Sequence, residues 1–223
     1  MFRYWRSWAS LVVLATSTLP GCAPLPKTEY WGGYFRHLHP PRYTFQVPDG
    51  WRAATISDYP SLGFNRRLFQ RLDEAGRRAA MQRAEVEMQG RDASLISSRG
   101  GWIQVQSAES AEGWYAGRDR FGLTDQQKKA MWQRLSTSMT QAAPPGEKPT
   151  LTLQSLDLVD DYFVRNVLRL RFTVDGPRGS MRWTVLEFYG SAGTVNVAHV
   201  GIPEDSEEGI AGLEGLASSF RFN

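Results

Sequence analysis

Residues 43–51 read Tyr43-Thr44-Phe45-Gln46-Val47-Pro48-Asp49-Gly50-Trp51, an alternating segment that runs into a turn triplet and then a large aromatic ring. In an extended backbone successive side chains point to opposite faces, so Tyr43, Phe45 and Val47 share one side and Thr44 and Gln46 the other. Pro48 carries no amide donor and ends the ladder there, and Gly50 permits the tight turn. Trp51 opens a second strand, running to about Ile56, and covers the core edge with apolar surface. A strand, a turn and a strand, half-buried on one face, predict an antiparallel sheet rather than a bundle of helices.

Working outward from this stretch toward the C-terminus, the periodicity changes. From Leu62 to Gln89 the residues Phe64, Leu68, Phe69 and Leu72, then Met81, Ala84 and Met88, recur at helical spacing, with Gly76 as a break. Two helices, or one kinked helix, are expected. Ala93 to Ser97 and Trp102 to Gln106 read as a hairpin across Arg99-Gly100-Gly101. Thr124 and Gln127 form a capping-box pair before a helix with Met131, Leu135 and Met139 on one face, which Pro144-Pro145-Gly146 ends. Four strands follow with short turns between them: Leu151 to Leu158, Phe163 to Val174, Met181 to Tyr189 and Thr194 to Val200. They predict an antiparallel meander. Glu204 to Ser218 is a last helix, and Ser219-Phe220-Arg221-Phe222 closes the chain as a small strand.

This order of elements is α+β: a central antiparallel sheet flanked by helices, in a single domain over residues 43–223. The opening stretch Tyr43 to Trp51 and the closing stretch, a helix from Leu213 and then Ser218-Ser219-Phe220-Arg221-Phe222, resemble those of the PsbP-like (Mog/DcrB-like) superfamily, which includes bacterial envelope lipoproteins. The resemblance implies a sandwich with helices on both sides of the sheet. It also implies a role in assembly or partner binding in place of catalysis.

Toward the N-terminus, Arg3 and Arg6 precede the apolar run of residues 7–19, and Leu19-Pro20-Gly21-Cys22 follows. The run is too short to span a bilayer, which takes about 20 residues. Residues 1–21 resemble a bacterial lipoprotein signal peptide, in which the cysteine thiol is joined to a diacylglycerol and the chain is cut before it. Cys22 is the sole cysteine and thus the lipidation site in this reading. Pro20 stands where the family usually carries a small residue, and the alternative is an ordinary secretory signal cut near Thr18 or Gly21, leaving Cys22 as a free thiol. Ala23 follows Cys22, so the aspartate that retains lipoproteins at the inner membrane is absent. By resemblance to Gram-negative sorting, the expected address is an outer membrane lipid anchor on the periplasmic face. Residues 22–42, rich in Pro, Gly and aromatic residues, read as a tether, with Tyr30, Trp31, Tyr34 and Phe35 folding back onto the domain or dipping into the membrane interface.

Removing residues 1–21 takes Arg3 and Arg6 away and lowers the net charge from +3 to +1, which supplies no electrostatic footprint for nucleic acid. With a single cysteine, the chain has neither an intramolecular disulfide nor a thiolate metal site, so stability must come from burial. The three histidines limit catalysis by imidazole. His37 and His39 form a His-x-His pair without a nearby third ligand, and His199 alternates with Val195 and Val197 as a sheet histidine would. No Gly-x-Ser-x-Gly elbow is present, and Gly209, Gly212 and Gly215, three apart in a helix, match no nucleotide fingerprint. Glu204, Asp205, Glu207 and Glu208 suit a helix N-terminus.

No catalytic set, metal or cofactor is expected, and the chain is read as non-enzymatic. Trp102, Trp114 and Trp132 either line a ligand groove or fill a core shared by sheet and helices, and core filling is the default. The irregular segment of residues 108–123 holds the binding candidates Trp114, Tyr115 and Arg118, since aromatic and arginine side chains dominate interface energies. The expected partners are the membrane, through the N-terminal lipid, and an envelope protein. The alternative is a periplasmic lipid or small-molecule binding module with a pocket between sheet and helices, and a histidine enzyme built on His199 is a third possibility.

Overall fold

The structure is a computed structural model, and it describes residues 27–62, 69–108, 123–142, 148–164, 167–176, 179–191, 193–201 and 206–223. Two antiparallel sheets organise them. The smaller is made of β1 (Thr28–Trp31), β2 (Tyr34–His37), β3 (Tyr43–Gln46) and β11 (Arg221–Phe222), in that order across the sheet. The larger contains β4 (Trp51–Ala53), β5 (Ala93–Ser97), β6 (Trp102–Ala108), β7 (Thr150–Val159), β8 (Val167–Gly176), β9 (Gly179–Gly190) and β10 (Gly193–Gly201), ordered β4-β5-β6-β10-β9-β8-β7. Helices α1 (Glu74–Gln89), α2 (Asp125–Ala142) and α3 (Ser206–Ser219) complete the fold, with a short 3-10 helix at Ile56–Ser61. The class is α+β, with antiparallel sheet flanked by helices.

Residues 43–51 do not form a hairpin. β3 pairs with β2 and β11, while β4 pairs with β5, Trp51 facing Ser97. The turn at Pro48 to Gly50, closed by a 3.0 Å bond from the Trp51 amide to the Pro48 carbonyl, therefore carries the chain from one sheet to the other. Alternation predicts that a strand exists and which face it buries, but not which strand it pairs with.

A second departure lies upstream. From Thr28 onward the expected tether is paired sheet: Thr28 faces His37, Trp31 faces Tyr34, and Tyr34 to His37 face Gln46 to Tyr43. Gly32 and Gly33, at φ +57° and +81°, supply the left-handed residues of the tight turn between β1 and β2. Tyr34-Phe35-Arg36-His37 alternates with period two, Phe35 and His37 buried and Tyr34 and Arg36 exposed. The glycines and prolines on either side mask that short signal.

The helical stretch also differs. Asp73 caps α1, its Oδ1 accepting from the Gly76 amide at 2.7 Å, so Gly76 belongs to the first turn and does not break the helix. Phe64 and Leu68 lie outside the described residues. The strand expected to start at Phe163 starts at Val167, leaving Phe163 exposed. The α2 box is present as read, with the Thr124 amide and hydroxyl donating to Gln127 Oε1 and the Gln127 amide donating to Thr124 Oγ1.

The larger sheet is covered on both faces, which is why β5 is buried throughout. On one face Leu95, Ile103, Val105, Leu186, Phe188, Val195 and Val197 meet the inner face of the smaller sheet and α3. On the other, Ile96 and Trp102 lie under α1 and the 3-10 helix, and Leu168, Leu170, Phe172 and Val174 lie under α2. Leu213, Leu216, Ala217 and Phe220 form the apolar stripe that seats α3 between the sheets. Phe220 stacks on Phe188 at 4.1 Å and lies 5.4 Å from Tyr43, joining the two ends of the domain.

Candidate functional site

β10 carries His199 on the same face as Val195 and Val197, as the alternation predicts, and the ring is 1% exposed. Gly209 of α3 lies against it so closely that any Cβ there would overlap the imidazole. Burial lowers its pKa from 6.5 to about 4, which keeps the ring neutral near neutral pH. Its Nε2 has no hydrogen-bond partner among the described residues. A catalytic base needs an orienting group and access to a substrate proton. This ring has a glycine-lined slot in place of access.

The other buried histidine sits where the sheets meet. The His37 Nδ1 lies 3.0 Å from the Pro41 carbonyl and its Nε2 3.5 Å from Asp92 Oδ1. With Nδ1 donating to that carbonyl, Nε2 carries a proton toward Asp92 only in the imidazolium form. Asp92 Oδ2 accepts from the Tyr43 hydroxyl at 2.9 Å and from the Ser107 amide at 2.6 Å. Burial, and next the negative charge of Asp92, raise the Tyr43 hydroxyl far above the ordinary tyrosine range, so it remains a donor. The His37 and Tyr43 rings stack at 5.0 Å. One carboxylate just before β5 thus ties β2 and β3 of the smaller sheet to β6 of the larger. This Asp-His-Tyr group escapes sequence reasoning because Asp92 lies 49 residues beyond Tyr43 and His37 stands in a Pro- and Gly-rich stretch. His39 is exposed, whereas the His37 ring is buried with its two nitrogens facing the Pro41 carbonyl and Asp92, so the His-x-His pair does not share one environment. Among the described residues no three His, Cys, Asp or Glu side chains are placed to hold a metal ion.

The third feature is the outer face of the smaller sheet. Register places Glu29 beside Arg36, Arg36 beside Thr44, Thr44 beside Arg221, and Trp31 beside Tyr34, all on the side away from α3. Trp31 is 71% exposed, with the Arg36 guanidinium 5.8 Å from its ring. Phe163 is 70% exposed, with the Arg221 guanidinium 3.8 Å above it. These are cation–π pairs at a solvent-facing surface. Among the described residues neither Arg36, Arg42 nor Arg221 makes an ion pair. An open pocket of about 450 Å³ lies on this side, lined by Arg36, His37, Leu38, Arg42, Thr44 and Asn223. A second open cleft, of about 430 Å³, runs between α2 and the edge strand β7, lined by Ser136, Thr137, Thr140, Gln141, Pro149 and Leu151.

Cys22 and the binding candidates Trp114, Tyr115 and Arg118 lie outside the described residues, as do Glu204 and Asp205. Trp102 is buried and Trp132 lies 5.7 Å from Phe172, so both fill core. Glu207 and Glu208 occupy the first turn of α3. Among the described residues no helix is long and apolar enough to cross a membrane.

No family model and no curated protein sequence matches the chain. Among solved structures it is similar to the solution structure of cyanobacterial PsbP (CyanoP) from Synechocystis sp. PCC 6803, at 13% identity and a TM-score of 0.48, over 92% of this chain and 99% of that one.

Proposed function

We propose that the chain is a lipoprotein anchored through Cys22 at the periplasmic face of the outer membrane, and that its α+β domain is a non-catalytic interaction module for an envelope partner. The observation that carries the reading is the sequence of residues 1–22: a basic start, a short apolar run and the sole cysteine after Leu19-Pro20-Gly21. Several acyl chains, at roughly 0.8 kcal/mol per buried methylene, hold such a protein on a membrane durably. The setting of His199 supports a structural role for the histidine that most resembled a catalytic one.

The test is intact-mass measurement of the protein extracted from bacterial membranes, beside Cys22→Ala. The expected mass begins at Cys22 and includes acyl chains, and the substituted chain lacks them. A mass without acyl groups on the unsubstituted chain would refute the anchor and leave Cys22 as a free thiol.

A further inference from the structure

We propose that the outer face of the smaller sheet, uncovered among the described residues, is a membrane-docking surface that rests on anionic phospholipid headgroups, an inference that builds on the Cys22 anchor. Its inner face is occupied by α3 and the core, whereas the outer face presents Trp31, Tyr34, Arg36 and Arg42 to solvent, with Arg221 half-buried beside them. Among the described residues of its strands, Arg36 and Arg221, with Arg42 just before β3, stand against one carboxylate, Glu29. Arg36 lies over the Trp31 ring and Arg221 over the Phe163 ring, and while Arg221 Nη1 donates to the Ser218 and Phe220 carbonyls, the exposed Arg36 and Arg42 offer their N–H groups to an acceptor. Arginine binds phosphate through paired N–H donors, and amphipathic rings settle at headgroup depth, so this combination suits a phospholipid interface.

Chain length decides between a lipid surface and a distant partner. Cys22 precedes Lys27 by five residues, and at roughly 3.3–3.6 Å per residue the connection reaches at most about 18 Å. Acyl chains in the bilayer therefore hold β1, which begins at Thr28, beside the headgroups. Edge strand β1, the basic pocket formed by Arg36, Arg42, Thr44 and Asn223, and the exposed ring of Trp31 all belong to the sheet that begins there. The Asp92 group then fixes the orientation of the larger sheet relative to the membrane, since it ties the two sheets together.

The experiment uses full-length protein extracted from bacterial membranes and reconstituted in phosphatidylcholine vesicles with or without phosphatidylglycerol, each also made with bromine-labelled acyl chains. Quenching of tryptophan emission is compared between the wild type and Trp31→Phe, which isolates Trp31, and with the double variant Arg36→Gln/Arg42→Gln, whose substitutions sit on exposed side chains. Trp31 is expected to be quenched in the phosphatidylglycerol vesicles, and its share of the quenching to fall at least twofold in the double variant or in phosphatidylcholine alone. Acylated protein whose quenching is unchanged by Trp31→Phe overturns the proposal, and that includes a face held instead by a protein. Intact mass of the same sample reports the anchor separately. Should Cys22 carry no lipid, vesicle sedimentation decides: binding that weakens about tenfold in the double variant keeps the docking surface, and no binding removes it.

Discussion

A histidine sealed under a glycine is a pH-dependent element of stability. Burial holds His199 at about 4 in the folded chain, against 6.5 for the free side chain. Between those values the unfolded chain binds a proton that the folded chain refuses. The stability associated with the neutral ring is therefore complete above pH 6.5 and is lost as pH falls from 6.5 toward 4. The gap corresponds to roughly 3 kcal/mol. Urea midpoints measured from pH 8 to pH 4 should show that loss in the wild type and a flatter profile in His199→Gln, whose side chain has no proton to gain. The His199 ring signal in NMR spectra should stay at its neutral position until the pH nears 4. A ring titrating near 6.5 in folded protein would mean that solvent or a carboxylate reaches it, and would restore it as a candidate base.

The α3 helix shows how an element's docking face is written in small residues. Gly209, Gly212 and Gly215 recur every three positions, and the first two mark where rings of the large sheet enter the helix surface: His199 at Gly209 and Trp51 at Gly212. A methyl group at Gly212 would sit 2.5 Å from Trp51 Cε2, in a site where Trp51 is itself buried. At Gly215 the nearest atom, Pro48 Cβ, is 3.7 Å away, an ordinary contact. Alanine in a helix is otherwise favoured over glycine by about 1 kcal/mol. The two substitutions should thus have opposite signs. Gly212→Ala is expected to cost about 1–3 kcal/mol through overpacking, and Gly215→Ala to leave stability unchanged or raise it by up to about 1 kcal/mol. Thermal unfolding of the pair decides it, and equal effects would mean that α3 does not seat against Trp51.

This helix also shows what was legible in the chain. Its existence, its acidic first turn and its apolar stripe follow from period and composition, as do β5 to β10 and the capping box of α2. The glycine spacing was visible too, yet its meaning was not, because a small residue reports close approach without naming what approaches. Short strands with glycines or prolines beside them, such as β1 and β2, give too few alternations to stand out from a tether. The Asp92 group was illegible for a different reason. Its members meet only after two sheets have assembled, and no local pattern records that.

At the scale of the whole molecule, the N-terminal hairpin decides where the folded unit begins. If the domain started at Tyr43, β3 would keep only the two-residue partner β11, and the Tyr43 and Phe45 rings would lose the Phe35 ring that lies 5.9 Å and 4.8 Å from them. Phe35 is fully buried, and truncating such a side chain to alanine typically costs about 3–5 kcal/mol. A chain shortened to start at Lys27 keeps β1 and β2 whole and serves as the reference for urea unfolding. One shortened to start at Tyr43 should lose at least about 3 kcal/mol or fail to accumulate as soluble protein, and Phe35→Ala in the longer chain should reproduce most of that loss. Equal midpoints for the chains starting at Lys27 and Tyr43 would make the hairpin an appendage, free to move relative to the larger sheet. A large difference would make it a rigid part of the domain. Only in that second case does a short connection from Cys22 transmit orientation as well as attachment, because a surface rigidly joined to the core turns the whole domain when it settles on the bilayer.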